Sequence, residues 1–518
     1  MSRLVTSLAV VFLASCLNAQ AATYYVDQTA GNDSNAGTSQ SAPWKNSPGM
    51  SAYSGSKQLA PGDIVYFDRG DTWLVTGTQG LYLVGGVTYI GDTWGTGTRA
   101  TIKASTDLDA GVVRFRDHAT FETVLQGFNV DANGKVTTGI DMNSAFYLAP
   151  LAGATKRVQN CEVHNIWSRV ALGQYKYGIH ISDHGGNNGY VENVEILDTV
   201  VHDTSRDAIN LYPGDESAAC RIKNITVRHS EAYNTGQDPD YCCGAGIIVK
   251  GNVTDAFIEY NYVHDTKGAA LFVNANETNH FAGVGQTNIH FRYNVVTNST
   301  SNGAILIYDG PSGGDPKDIK VYGNIIYNST ANGGLVVHNG LKNTLSLLVY
   351  NNTFYNAPVV VENSNVVVNT FEFKNNILFY NNGTPLSDAG RRITAHSNNM
   401  FYRSSGTLVS SGGTNYTAGN LTTYEASGSA LNPTFKNVAN LPTGFSGTFG
   451  VNLAPNADGL SLQAGSFGLD HGIALAGTYA GAINSVMRPA GAAWDLGGYE
   501  AGSQQGVPPT APTGLKIR

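Results

Sequence analysis

The chain repeats itself at an irregular period near 30 residues, and that repeat constrains the fold more than any other feature. Seven segments end an apolar stretch on His, Tyr or Thr, followed by Asn or Asp: Val163-His164-Asn165, Val201-His202-Asp203, Ala232-Tyr233-Asn234, Val263-His264-Asp265, Val296-Thr297-Asn298, Ile326-Tyr327-Asn328 and Phe354-Tyr355-Asn356. Three residues before each His, Tyr or Thr runs a second column: Cys161, Thr199, Ser230, Asn261, Asn294, Asn324 and Asn352, continuing to Asn376. Its steps of 38, 31, 31, 33, 30, 28 and 24 residues describe a constant coil with loops of varying length. Each repeat also carries a second strand of alternating type, as in Gly178-Ile179-His180-Ile181-Ser182, Ala208-Ile209-Asn210-Leu211-Tyr212 and Gly246-Ile247-Ile248-Val249-Lys250. Period-two alternation puts the aliphatic residues of each strand on one face, and stretches of helical period are absent. Short strands, Asn/Gly turns and a repeat of this length predict an all-β solenoid, a single-stranded parallel β-helix of roughly 10 or more coils. Apolar faces would stack inside, with Asn laddering along the turns.

At 518 residues a chain of ordinary architecture would divide into several domains. One elongated repeat domain over residues 22–500 is the expectation here. Residues Met1 to Ala21 have the form of a secretory signal: Arg3 supplies the positive start, Leu4 to Leu17 the apolar stretch, and Ala19-Gln20-Ala21 the cleavage site. The predicted address is therefore secreted or periplasmic. Leu13-Ala14-Ser15-Cys16 also resembles a lipobox, and lipidation of Cys16 to give an outer-membrane lipoprotein is the alternative. No later apolar run is long enough to span a bilayer. Residues 501–518, with Val507-Pro508-Pro509-Thr510-Ala511-Pro512, have linker composition, and Thr513-Gly514-Leu515-Lys516 looks like the opening of a fibronectin type III module.

The balance of 31 basic against 39 acidic groups gives a net charge of −8, which argues against a nucleic-acid partner. An acidic glycan stays open, because a local cluster of Lys and Arg can oppose the global sign. After cleavage four cysteines remain, Cys161, Cys220, Cys242 and Cys243. Their spacing is not that of a zinc site, and buried packing or one bridge is expected.

These features resemble the secreted right-handed parallel β-helix superfamily of pectate lyases, alginate lyases and related carbohydrate-active proteins. The opening, Tyr24-Tyr25-Val26-Asp27 through Gly31-Asn32-Asp33-Ser34-Asn35-Ala36-Gly37-Thr38 to Pro43-Trp44, is similar to that of many such proteins. So is the close, Trp494-Asp495-Leu496-Gly497-Gly498-Tyr499-Glu500. The resemblance implies a polysaccharide substrate, an acidic one for a lyase, and a monomer is expected.

Stacking the alternating strands gives two outward columns. One runs Ser182, Tyr212, Lys250, Asn274, Tyr308, His338; the other runs His180, Asn210, Ile248, Phe272, Leu306, Val336. Rungs lie about 4.8 Å apart, so residues on adjacent rungs can touch one polymer. Lys250, in the middle of this sheet, is the expected base: such a lysine can have a lowered pKa. Arg206 would neutralise a uronate carboxylate, Tyr212 or His180 would act as acid, and Asn274, Tyr308 and His338 would bind substrate. Arg206-Asp207-Ala208-Ile209-Asn210-Leu211 resembles the calcium-binding strand of one pectate lyase family, which implies Asp183, Asp207 and Asn210 as a calcium set. Gly246-Ile247-Ile248-Val249-Lys250 resembles the catalytic-lysine rung of the alginate lyase and chondroitinase B family. His164, His202 and His264 repeat in the turn column and are expected to be structural. Four functions stay open: a lyase with Lys250 as base, a C5-epimerase of uronates, a glycoside hydrolase using Asp183 and Asp207, and a non-catalytic glycan-binding surface protein.

Overall fold

The computed structural model describes residues 21–502, apart from 78–79, 144–152, 183–189, 214–220, 240–243, 276–284, 309–316, 339–344 and 363–367. The signal segment with Cys16, the residues Asp183, Cys220, Cys242 and Cys243, and the fibronectin-like end lie outside the described residues.

Each coil supplies one strand to each of three sheets. The first sheet has thirteen parallel strands, from Thr23–Val26 to Ala395–Ser397. The second has twelve, from Thr72–Val75 to Met400–Tyr402. The third runs from Leu81–Tyr82 to Val409–Ser411 in parallel, and Thr414–Tyr416 closes it as one antiparallel strand. Among the described residues there is no α-helix, and the molecule is a right-handed parallel β-helix. That is the hand a strand–crossover–strand connection takes. A single apolar core runs from Tyr24 through the coils to Leu421.

The repeat columns have physical causes. Asn261, Asn294, Asn324, Asn352, Asn376 and Asn399 line the turn between first and second sheets, all fully buried. Each of the first five donates through Nδ2 to a carbonyl of an earlier coil and to the Asn Oδ1 of the next, as Asn294 does to Ile258 (2.9 Å) and Asn324 (3.0 Å). The ladder ends where the Glu425 carboxylate accepts from Asn399 N at 2.7 Å and Nδ2 at 2.9 Å. Near the end of the second-sheet strand in these coils an Asn or Asp is left-handed, with φ of 59°, 52°, 50° and 48° at Asn165, Asp203, Asn234 and Asp265. Asn and Asp tolerate that conformation best among residues with a Cβ.

Both end motifs cap the solenoid. Trp44 is fully buried and stacked on Tyr24 at 4.6 Å, and its Nε1 donates to Asn35 O at 2.9 Å. Asp33 accepts the backbone N–H of Asn46 at 2.7 Å and of Ser54 at 3.0 Å. This covers the first strand, whose edge would otherwise be open. At the other end, residues beyond 430 leave the coil and pack on the outside of the second sheet and its preceding turn. There Phe435, Leu453, Leu460, Ile483, Leu496 and Tyr499 cover Tyr260, Tyr293, Tyr322, Tyr327 and Tyr350. Gly497 N donates to Asn375 O at 2.8 Å, Gly498 N to Thr353 Oγ1 at 3.0 Å, and Arg488 pairs with Glu500 at 2.8 Å, fully buried. The repeat domain expected over 22–500 thus ends in an irregular covering segment.

Candidate functional site

The outward face of the third sheet carries a cleft of about 530 Å³. The two columns expected from the sequence form its floor and wall from Asn210 and Lys250 onward. Register pairs His180 with Asn210, Asn210 with Ile248, Ile248 with Phe272, Phe272 with Leu306 and Leu306 with Val336. The second column pairs Ser182 with Tyr212, Lys250 with Asn274 and Asn274 with Tyr308. Alternation is kept because each strand sends every second residue inward as an aliphatic side chain, as Ile247 and Val249 are on the Lys250 strand. A slip of one residue would turn that set outward.

Arg206, Asp207, Asn210, Lys250, Asn274, Tyr308 and His338 all line the cleft. The Lys250 ammonium lies 4.2 Å from the centre of the Tyr212 ring. Tyr212 itself is buried beside it rather than lining the cleft. Arg206 stacks over the rings of Tyr175 (4.5 Å) and Tyr177 (5.2 Å) and donates to the Tyr177 hydroxyl at 3.2 Å. That cradle fixes a planar guanidinium at the cleft's edge. Tyr308 meets the His338 ring at 4.3 Å, and His338 lies 3.7 Å from Glu362.

Asp207 and Asn210 are both 2% exposed. Asp207 Oδ1 accepts from Ala245 N at 2.8 Å, and Oδ2 accepts from Asn210 Nδ2 at 2.9 Å. Asn210 Oδ1 is buried without a hydrogen-bond partner. A buried carbonyl oxygen left in that state is a donor that suits a hard cation. Among the described residues no three or more His, Cys, Asp or Glu side chains converge to hold a metal.

His180 also lies outside the cleft lining, on the rung before Asn210. Its Nδ1 is 3.6 Å from Asp141 Oδ1, its ring lies 4.5 Å from that of Tyr177, and Asp141 lies 3.9 Å from Arg114 Nε. Arg114, Asp141 and His180 occupy consecutive rungs and are all buried. The sequence columns began two coils too late to include Arg114 and Asp141. The alternation in Gly139-Ile140-Asp141-Met142 could have extended them.

The turn histidines are structural. His164, His202, Tyr233 and His264 stack ring on ring at 5.2, 4.7 and 4.9 Å. Burial opposes charge on His264, but its hydrogen bonds to Glu231 (2.9 Å) and Asp265 (2.7 Å) outweigh this and raise its pKa above 6.5. Asp203 and Asp265 accept from Asn234 and Asn298 in the turn ladder. Cys161 is a free buried thiol, and burial pushes its pKa up to about 11.

Among known proteins, the family described as "Disaggregatase related" matches residues 191–306. No curated protein matches the chain. Solved structures similar to it include the pectate lyase Pel9A, at 15% identity and a TM-score of 0.43, over 92% of this chain and 96% of that one. The A-module of the mannuronan C-5 epimerase AlgE6 of Azotobacter vinelandii is 14% identical with a TM-score of 0.41, over 72% and 91%. The GH136 lacto-N-biosidase of Eubacterium ramulus is 14% identical with a TM-score of 0.33, over 67% and 68%. Identities this low leave the cleft to be understood from its own residues. No helix among the described residues is long and apolar enough to cross a membrane.

Proposed function

We propose that this chain is exported, binds an acidic polysaccharide along the third sheet and cleaves it by β-elimination. The observation that carries the proposal is the placement of Lys250 within the cleft, with Arg206 also lining it and Asn274 on the adjoining rung. Lining residues from the Arg206 coil to Glu362 span six successive third-sheet rungs, about 24 Å at about 4.8 Å per rung, which suits several sugar units in a row.

Elimination from a uronate requires its carboxylate to be neutralised, the C5 proton to be taken and the C4–O bond to break. Arg206 supports the first step. Lys250 takes the C5 proton, the electron pair forms the C4–C5 double bond, and the departing oxygen receives a proton from water in the open cleft or from Tyr212, whose ring lies 4.2 Å from the Lys250 nitrogen at the cleft's border. A calcium ion held by Asp183, Asp207 and Asn210 would add to the neutralisation, and the unpartnered Asn210 Oδ1 favours that assignment. The cleft's described carboxylates favour elimination over hydrolysis. Asp207 and Glu362 are five rungs apart, about 24 Å, whereas paired glycosidase carboxyls lie about 5–9.5 Å apart.

The test is ultraviolet absorbance on a panel of polyuronides and glycosaminoglycans, with and without calcium. An unsaturated uronate product from the native protein, absent with a folded Lys250→Ala variant, is the expected result. Full activity in Lys250→Ala would remove Lys250 from its role. Reducing ends without absorbance would establish hydrolysis, and a changed C5 configuration without cleavage would establish epimerisation.

A further inference from the structure

The floor of the cleft changes character along its length. Arg206, Asp207, Asn210 and Lys250 make one end polar and charged. From there Ile248, Phe272, Leu306, Val336 and Val360 follow one another on five consecutive rungs, an outward apolar strip about 19 Å long. Leu306 and Val336 join Ala269, Phe272 and Tyr308 in an apolar cluster separate from the core. Ile248, Leu306 and Val336 are 5, 6 and 4% exposed at the bottom of the cleft, and because an outward strand face normally carries polar residues, a strip of this length suits an apolar group of a ligand. Most of it is aliphatic, and Ile, Leu and Val offer no flat ring for a sugar face to stack on. They offer a surface for methyl groups. Asn302 and Asn332, on adjacent coils, line the same stretch and bring amide groups to it.

Building on the glycan-cleft reading, we infer that the bound polysaccharide carries acetyl groups. Their methyls seat on the Ile248–Val360 strip, and their carbonyls face Asn302 and Asn332, while a free uronate carboxylate takes the Arg206 end. An acetyl group matches both parts of this surface, an apolar floor and polar amides at its side. An unsubstituted polyuronide leaves the floor facing hydroxyls and water.

The inference is tested by binding, measured with Lys250→Ala so that turnover does not intervene. O-acetylated polymannuronate is compared with the same polymer after mild saponification, and hyaluronan with polyglucuronate. The two pairs separate O-acetyl from N-acetyl recognition. Each seated methyl is worth on the order of fourfold in affinity, so the acetylated member of at least one pair binds tighter by that factor or more. Val336→Thr, nearly isosteric, and Leu306→Gln bring the ratio toward one. Affinities within twofold in both pairs, or no binding of either acetylated polymer, overturn the inference. So does concentration-dependent dimerisation abolished by the same two variants, which would give the strip to self-association. Elimination without acetyl preference sinks this inference alone, and acetyl preference without elimination sinks only the lyase chemistry.

Discussion

Replacing Asn294 by Ala removes one rung of the buried ladder, and its cost follows from the hydrogen bonds on either side. Asn294 Oδ1 accepts from Asn261 N at 3.0 Å and from Asn261 Nδ2 at 3.1 Å, while its Nδ2 donates to Ile258 O at 2.9 Å and Asn324 Oδ1 at 3.0 Å. Asn324 Oδ1 keeps the Asn294 backbone N–H at 2.9 Å, and Asn261 Nδ2 keeps Val227 O at 2.9 Å. Two groups are left without a partner in a site of zero exposure, the Asn261 N–H and one Asn261 amide hydrogen, while the Ile258 carbonyl keeps its place in the ladder to the Arg292 strand. At about 1–3 kcal/mol for each buried unsatisfied group, the loss is on the order of 2–6 kcal/mol. Because coils contact only their neighbours, much of it should appear locally. Urea unfolding gives the total, and hydrogen exchange at the Asn261 and Ile258 coil gives its location. The control is Asn298→Ala, at an exposed left-handed turn, which should cost about 1 kcal/mol. A loss under about 1 kcal/mol for Asn294→Ala, with unchanged exchange protection, would refute the ladder as a source of coil stability.

Three further outcomes follow from individual sites. Gly497→Ala should release the C-terminal covering segment, seen as proteolysis beyond 430 at lower temperature. Gly497 has φ +82°, and an added Cβ would sit 2.5 Å from Thr353 Oγ1 and 2.8 Å from Ile377 Cδ1. The raised pKa of His264 stabilises the fold fully below pH 6.5, and this contribution disappears as pH rises through the folded-state pKa. Native protein should therefore lose its stability advantage over His264→Gln between neutral and alkaline pH, and a constant difference would contradict this. Arg206→Lys should raise KM on an acidic polymer about tenfold, because an ammonium cannot keep both the Tyr175–Tyr177 stack and a forked contact to a carboxylate. An unchanged KM would place the carboxylate elsewhere.

The fold was legible wherever the repeat kept its polar column. Thr199, Ser230, Asn261 and their successors mark every turn from first to second sheet because a buried turn must satisfy its amides, and few side chains can. The cleft columns were legible for a related reason. Inward Ile, Leu and Val fix the register, so His180, Asn210, Lys250 and Asn274 fall on the outer face without further information. Upstream the signature fades. Phe128 holds the register position one coil before Cys161, since Asn129 pairs with Glu162, and a buried Phe gives no ladder to recognise. Arg114 and Asp141 were missed for that reason. The C-terminal segment was illegible because Phe435, Leu453 and Ile483 follow no period; their spacing is set by the surface they cover.

That surface did leave a trace in the sequence. Tyr260 and Tyr293 occupy the left-handed turn position, at φ 54° and 55°, where most other coils carry Asn, Asp or Gly and one carries His229. A bulky residue there is strained, and on a bare solenoid it would also be exposed. Both are nearly or fully buried: Phe445 and Phe449 lie 5.9 and 5.7 Å from the Tyr260 ring, and Gly323 leaves room for Tyr293 on the next coil. Aromatics in turn positions therefore mark the side of the helix that the chain itself covers. On the first sheet the outward residues are matched by ion pairs, such as Arg157 with Glu195 at 2.7 Å and Arg221 with Glu192 at 2.7 Å. The second sheet is covered by the C-terminal segment along its later coils and by the stacked rings of His164, His202, Tyr233 and His264 along its earlier ones. Among the described residues the third sheet instead carries the cleft, with its outward apolar column from Ile248 to Val360, and the proposed ligand-binding surface lies there.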